Sequence, residues 1–345
     1  MLHTSAILPD SKNNDAPRPA KSRGNEDTMQ DAANSFDQPL ADLTKQDWLL
    51  KLEQIVQEHG TFTPLGKRHL AAYIEGEEDT TTLLVSFENI EGIRVLSDTA
   101  QPLGWDMNKA MGWAHLCLAS DGDTWFRDPH VFEHIDALTD DGFFDAFDNI
   151  IFYGAGPCGY AAAAFSVAAP GSTVVMIQPQ ATLDPRVAEW DDRFTDMRRT
   201  DFTARYGYAP EMLDAAKDAY VLFDPAEHLD AMHAALYTKS HVTMLRLRHM
   251  GNAIQSDLIA LQMLYRVLAK AGNGKLDAQS FAAIYRGRRN YPPYLRRILA
   301  ALDRQKRPEL AYMLARNITS RMNAPRFQRR LNELAATLGK DAASS

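Results

Sequence analysis

From position 42 to 59 the apolar residues Leu43, Trp48, Leu49, Leu52, Ile55 and Val56 recur at helical spacing, which predicts an amphipathic helix stopped by Gly60. The pattern then changes. Short, nearly continuous apolar runs rich in β-formers fall at 69–74, 82–87, 113–119, 149–153, 173–177, 219–223 and 242–247. Helical patterns separate them, at about 107–111, 131–138, 159–167, 209–217 and 229–238. Strands without polar alternation, divided by helices, predict a mostly parallel sheet covered by helices on both faces, an α/β fold. Helix after helix follows over 252–338, with breaks at 272–274, 291–293 and 307–308. Residues 1 to about 40, rich in Asn, Asp, Ser and Pro, predict a disordered segment. The expected organisation is therefore 1–40 disordered, 41–271 an α/β domain, and 272–345 a helical extension.

Composition narrows the class. The chain has 345 residues, 45% apolar and 24% charged, and no apolar run approaches the length of a membrane span. Its first residues lack the apolar stretch of a signal peptide, and Met29 is an alternative start. Cys117 and Cys158 are too few for a disulfide framework or an all-cysteine metal site. A cytoplasmic, globular protein with no resident metal is the expectation. Charge is uneven: residues 275–345 hold fifteen Lys/Arg against five Asp/Glu, so the overall −8 leaves −18 for the rest. A basic tail on an acidic body suggests either an anionic partner or docking of the tail on the chain's own surface.

The most informative stretch runs from Asn149 through Tyr153, Gly154, Ala155, Gly156, Pro157, Cys158, Gly159 and Tyr160 into an alanine-rich segment. A buried strand enters a glycine turn and then a small-residue helix. One use of that geometry is dinucleotide binding, with Gly154, Gly156 and Gly159 spelling G-x-G-x-x-G and FAD or NAD as the cofactor. The acidic residue needed about 20 residues on is missing, because the next strand ends in Gln178, Pro179 and Gln180. The phosphate-loop and redox motifs of phosphoadenosine phosphosulfate reductases do not occur either. The other use is a nucleophile elbow, G-x-S-x-G, on a sharp strand-to-helix turn.

Several segments together carry a family resemblance: Leu83-Leu-Val-Ser-Phe87, Gly112-Trp-Ala-His-Leu116, Asp123-Thr-Trp-Phe-Arg-Asp128, Phe152-Tyr-Gly-Ala-Gly-Pro-Cys-Gly-Tyr160, Pro179-Gln-Ala-Thr-Leu-Asp-Pro185 and Trp190-Asp-Asp-Arg-Phe194. Over roughly residues 65–270 the chain resembles bacterial α/β-hydrolase-like proteins, which carry a Tyr-Gly-x-Ser-x-Gly-Gly-Tyr elbow. The resemblance implies a hydrolase or acyltransferase scaffold that needs no cofactor. Laid on it, Gly156 stands where the nucleophilic serine belongs and Pro157 where an oxyanion N–H donor belongs. The serine mechanism is thus disfavoured, since glycine has no hydroxyl and proline no N–H. Two outcomes remain open: a scaffold without hydrolase activity, or a thiol enzyme acting on an acyl or ester substrate. In the second, Cys158 is the nucleophile, and Asp224 and His249, after the last two predicted strands, complete the set.

Other candidates are weaker. Asp121, Asp123, Arg127, Asp128 and His130 crowd one loop, where Arg127 could clamp an anionic group; Tyr160 is its companion as a substrate contact. The same loop composition also suits a capped, solvated turn. The 190–194 stretch with Arg198, Arg199 and Arg205 could form a lid, and Asp184 and Asp191 are reserve acids. The basic tail, which includes Arg286, Arg296, Arg297, Arg326, Arg329 and Arg330, matches no nucleic-acid-binding motif.

Overall fold

The computed structural model describes Phe36 and residues 38–339, so the predicted disordered segment lies almost wholly outside the described residues. The described residues from Pro39 to Gly339 form one compact unit. It opens with α1 (Lys45–His59), whose Trp48, Leu52, Ile55 and Val56 are buried as its periodicity requires. Eight strands follow: β1 (Gly60–Leu65), β2 (His69–Ile74), β3 (Thr82–Asn89), β4 (Ala114–Ser120), β5 (Asn149–Ala155), β6 (Thr173–Ile177), β7 (Asp218–Phe223) and β8 (Val242–Arg246). They form one sheet in the order β1-β2-β4-β3-β5-β6-β7-β8. The β1–β2 and β2–β4 pairs are antiparallel and the other five are parallel. The mostly parallel sheet, with helices between its parallel strands, is the α/β-hydrolase-like fold class expected from the sequence; the reversal of β2 was not anticipated.

β1 has no counterpart among the expected strands. Gly60 does end α1, but it also starts this edge strand, whose Thr61, Thr63 and Pro64 broke the apolar pattern.

The central strands are apolar on both sides because both faces are covered. Val85, Phe87, Phe152, Val174, Met176 and Val221 point into one core, with α4 (Pro129–Asp140) and α5 (Pro157–Phe165). Their alternates Leu84, Ile151, Tyr153, Val175, Ile177 and Leu222 point into the other. That second core contains α3 (Leu103–Met111) and α10 (Met263–Gly272), and α2 (Ile90–Leu96) precedes α3. α6 (Pro185–Ala188), α7 (Ala209–Met212), α8 (His228–Leu236) and α9 (Ile254–Ala260) complete the α/β layer.

The basic extension comprises α11 (Ala278–Tyr285), α12 (Pro292–Arg304), α13 (Pro308–Thr319) and α14 (Pro325–Leu338). Phe281, Leu295, Ile318 and Phe327 join the core that backs β7 and β8, so these helices pack on the sheet's own hydrophobic face. Among the described residues no helix is long and apolar enough to cross a membrane.

Candidate functional site

β5 ends at Ala155 and α5 starts at Pro157, so Gly156 alone reverses the chain. Its φ of 56° and ψ of −124° lie where residues with a Cβ are strained. The turn is fixed on both sides: the Gly156 N–H donates to the Ile177 carbonyl at 2.8 Å, and its own carbonyl accepts the Tyr160 N–H at 3.1 Å. A Cβ built on Gly156 would have nothing within 4 Å. The same atom on Gly154 would lie 2.1 Å from the Cys158 carbonyl oxygen. The glycine pattern is thereby explained by close helix-on-strand packing at 154 and by an unusual turn at 156, without a cofactor.

Gly156 opens onto a cleft of about 330 Å³, lined also by Pro157, Gln178, Arg193, Phe194, Asp230, Asn252, Gln255 and Ser256. One wall is an ionic network. Arg193 reaches Asp191 through Nε (3.0 Å) and Nη2 (2.8 Å), and Asp230 through Nη1 (2.6 Å). Asp230 also accepts from Gln178 Nε2 at 2.6 Å. His233 Nδ1 accepts the Ala181 N–H at 3.1 Å, so its proton is on Nε2, which faces Asp191 Oδ2 at 2.9 Å. Burial pushes the Asp191 carboxyl up, but the His233 and Arg193 hydrogen bonds outweigh it and hold the group far below the ordinary carboxylate range. The expected lid is therefore a wall pinned to α8, with Trp190 lying against the His233 ring and Phe194 against Trp125. Asp184, the other reserve acid, caps α6 and pairs with Arg186.

The three proposed catalytic residues are not brought together, because Cys158 lies apart from the other two. Asp224 and His249 share a second cleft of about 260 Å³ with Pro225, Ala226 and Arg248. The Asp224 carboxylate accepts backbone N–H groups from Ala226 (2.9 Å) and Gly251 (2.8 Å). His249, at φ 65°, has no ring hydrogen bond among the described residues. Cys158 lies on the first turn of α5, 7% exposed, and lines neither cleft. Burial, reinforced by the charge of Glu88, pushes its thiol well above the usual range.

The two expected substrate contacts also lie away from the cleft. Tyr160 is fully buried and donates its hydroxyl to the Tyr206 carbonyl. Arg127 donates to the Asp201 (3.0 Å) and Arg205 (2.7 Å) carbonyls and stacks over Phe132. The acidic loop around it is a capped turn: Asp128 accepts the His130 N–H at the start of α4. In the extension, Arg297 docks on buried Asp257 at 2.5 Å. Arg296, Arg326 and Arg329 instead edge a cleft of about 350 Å³ floored by Leu295, Ile318 and Phe327.

The sequence reading missed a buried polar group beneath α3, on the sheet face opposite the one that carries α5. Ser86 Oγ donates to Glu88 Oε1 at 2.6 Å and lies 2.8 Å from His115 Nε2. Cys117 Sγ donates to Glu88 Oε1 at 3.6 Å. All four residues are buried. The signal was present: Ser86 and Glu88 are polar residues in a run that is otherwise apolar on both faces.

No protein-family model matches the chain, and no functionally curated protein matches its sequence. Solved structures do resemble it. A Glycosylation Associate Protein (Gap123) complex from Streptococcus agalactiae is 14% identical with a TM-score of 0.41, over 60% of this chain and 45% of that one, so this chain spans under half of that relative. A bacterial heroin esterase is 13% identical, TM-score 0.39, over 76% of this chain and 97% of the other. A hyperthermophilic esterase from the archaeon Pyrobaculum calidifontis is 13% identical, TM-score 0.35, over 78% and 98%.

Proposed function

We propose that this α/β-hydrolase-like chain has a degenerate nucleophile elbow and binds a small polar molecule at Gly156 without hydrolysing it. The observation that carries this reading is the backbone at Gly156: a one-residue strand-to-helix turn at φ 56° and ψ −124°, open in front, with no hydroxyl to attack and Pro157 next in line. Losing one oxyanion donor alone costs roughly 10²–10³ in rate. The cleft in front is large enough for a small ligand. Arg193 fixes three of its five N–H donors on Asp191 and Asp230, and two are left to meet a ligand beside Asn252 and Ser256.

The thiol alternative has Cys158 as nucleophile with His249 and Asp224. Against it stand the buried thiol, which burial holds neutral, and the backbone role of the Asp224 carboxylate. Labelling the native chain with a fluorophosphonate and with a thiol-directed probe separates the two. No labelling near neutral pH, in wild type or in His249→Ala, is expected. Thiol labelling abolished by both Cys158→Ser and His249→Ala would overturn the binding reading and make the chain a cysteine acyl-handling enzyme. Binding itself is read as a ligand-induced rise in Tm across a panel of small polyols, carboxylates and amides, lost in Ser256→Trp, which fills the cleft from an exposed position. A panel without any shift would also sink it.

A second reading, an anionic partner for the extension, is favoured by one feature: the apolar cleft edged by Arg296, Arg326 and Arg329, whose guanidinium groups make no ion pair among the described residues. Salt-sensitive retention of the chain on an anionic matrix, lost when all three become Glu, is the outcome it requires.

A further inference from the structure

We infer that Glu88, His115 and Cys117 form a buried site for a divalent transition-metal ion of the Zn²⁺ class, with the Ser86 hydroxyl as the fourth donor. The inference is independent of the elbow. A carboxylate oxygen, an imidazole nitrogen and a thiol sulfur, three of the usual zinc ligand types, lie within 4.8 Å of one another, and all three residues are buried. Two cysteines cannot build an all-thiolate site, but a mixed site needs only one.

The local fold brings these side chains together. His115 and Cys117 are alternate residues of β4 and so share a face of the sheet. Ser86 on β3 is the register partner of Cys117, and Glu88 follows two residues on, on that same face. The spacing of Cys117 and Glu88 agrees with coordination. Zn–S and Zn–O bonds of about 2.3 and 2.0 Å give a tetrahedral edge of about 3.5 Å. Cys117 Sγ and Glu88 Oε1 are 3.6 Å apart. Ser86 Oγ, 2.6 Å from Glu88 Oε1 and 2.8 Å from His115 Nε2, hydrogen-bonds inside such an edge and would draw back by about half an ångström to bind as the fourth ligand.

The surroundings hold the ligands in place, as outer groups do in metal sites. The Leu103 N–H donates to both Glu88 oxygens at 3.2 Å. α3 passes so close over the imidazole that a Cβ on Gly104 would lie 2.1 Å from a ring carbon of His115. Among the described residues no Lys or Arg side chain pairs with Glu88, so nothing in the network supplies the positive charge that a buried carboxylate calls for. A dication supplies it, and the Cys117 proton leaves to solvent as the Sγ–metal bond forms.

The test uses the full chain, stripped with a chelator and titrated with Co²⁺ alone. Saturation at a single equivalent is expected, with a thiolate-to-cobalt charge-transfer band that added Zn²⁺ removes. Cys117→Ser should lose the band and Cys158→Ser should keep it. Zn²⁺ should raise Tm in wild type and not in Cys117→Ser. If Cys117→Ser does not fold, Cys158→Ser decides, since Cys117 is then the only thiol: a retained band supports the site and its absence refutes it. A cobalt spectrum without charge transfer, a band that survives Cys117→Ser, or an equal Zn²⁺ shift in both chains would overturn the assignment.

Discussion

Replacing Arg193 by Met tests whether the wall of the elbow cleft is held by charge or merely by packing. The substitution keeps most of the side-chain length and removes four N–H···O contacts, three to Asp191 and one to Asp230. Both carboxylates are buried, with side chains 0% and 4% exposed. Breaking a buried ion pair from one side costs about 3–5 kcal/mol, because the remaining charge stays in a poor solvent. The low end applies, because Asp191 keeps its bonds to His233 Nε2 and the residue-193 backbone N–H, and Asp230 keeps Gln178. A loss of about 3 kcal/mol lowers Tm by roughly 5–10 °C for a domain of this size. The pH dependence gives the sharper test. The Asp191 pKa is depressed in the folded chain, so its contribution is present above its ordinary value of 3.8 and is lost only as pH falls through the lower folded value. In Arg193→Met the Asp191 carboxyl protonates earlier and no longer buries unpaired charge. The Tm gap between the two proteins should therefore be widest near neutrality and narrow below about pH 4. Adding Asp230→Asn to Arg193→Met should restore part of the loss. Thermal melts across pH read all of this, and a gap under about 1 kcal/mol, or one flat with pH, would refute the reasoning.

Gly154→Ala should destabilise more than Gly156→Ala in thermal melts, because its Cβ meets the Cys158 carbonyl at 2.1 Å whereas that of Gly156 meets open space and only backbone strain of about 1–3 kcal/mol; the reverse order would contradict the packing given for the turn. Asp257→Ala, which strips buried acceptors from Tyr291 Oη (2.9 Å) and Arg297 Nη1 (2.5 Å), should speed proteolysis within α12 by loosening its seat, at a cost of about 2–3 kcal/mol. Tyr160→Phe should cost about 1 kcal/mol for the lost bond to the Tyr206 carbonyl and leave ligand-induced Tm shifts at the elbow cleft unchanged.

Seven of the eight strands were legible as apolar runs, most plainly the inner parallel ones, where burial on both faces leaves no polar alternation, as in β3 and β5. β1 was not, because an edge strand needs fewer apolar residues and tolerates Pro64. α3 begins at Leu103, four residues before its predicted start, because Gly104 and Asp106 weaken the helical signal and make sense only once His115 is seen below the glycine. The glycine turn was visible as a local motif, but the cleft it faces was not. That wall joins Arg193 to Asp230, 37 residues later, and nothing in a periodicity records such a contact. Nor could spacing tell that Tyr160 turns into the core while Arg127 turns to the 201–205 loop, since both side chains follow from how that loop packs.

An elbow that holds a serine is strained at the nucleophile, and that strain is part of its chemistry, since it thrusts the hydroxyl forward. Glycine at the same φ and ψ relieves about 1–3 kcal/mol of it. Once the reaction is dispensable, replacement by glycine is therefore favoured by stability alone, the usual direction of a stability–activity exchange. The rest of the turn has no such reason to change. Gly154 must stay small for α5 to sit on β5, and the Gly156 N–H still extends the sheet to Ile177. On the proposed reading, the backbone keeps the form of a catalytic turn without its hydroxyl, and the cleft in front of it is lined by polar side chains that can hold a ligand.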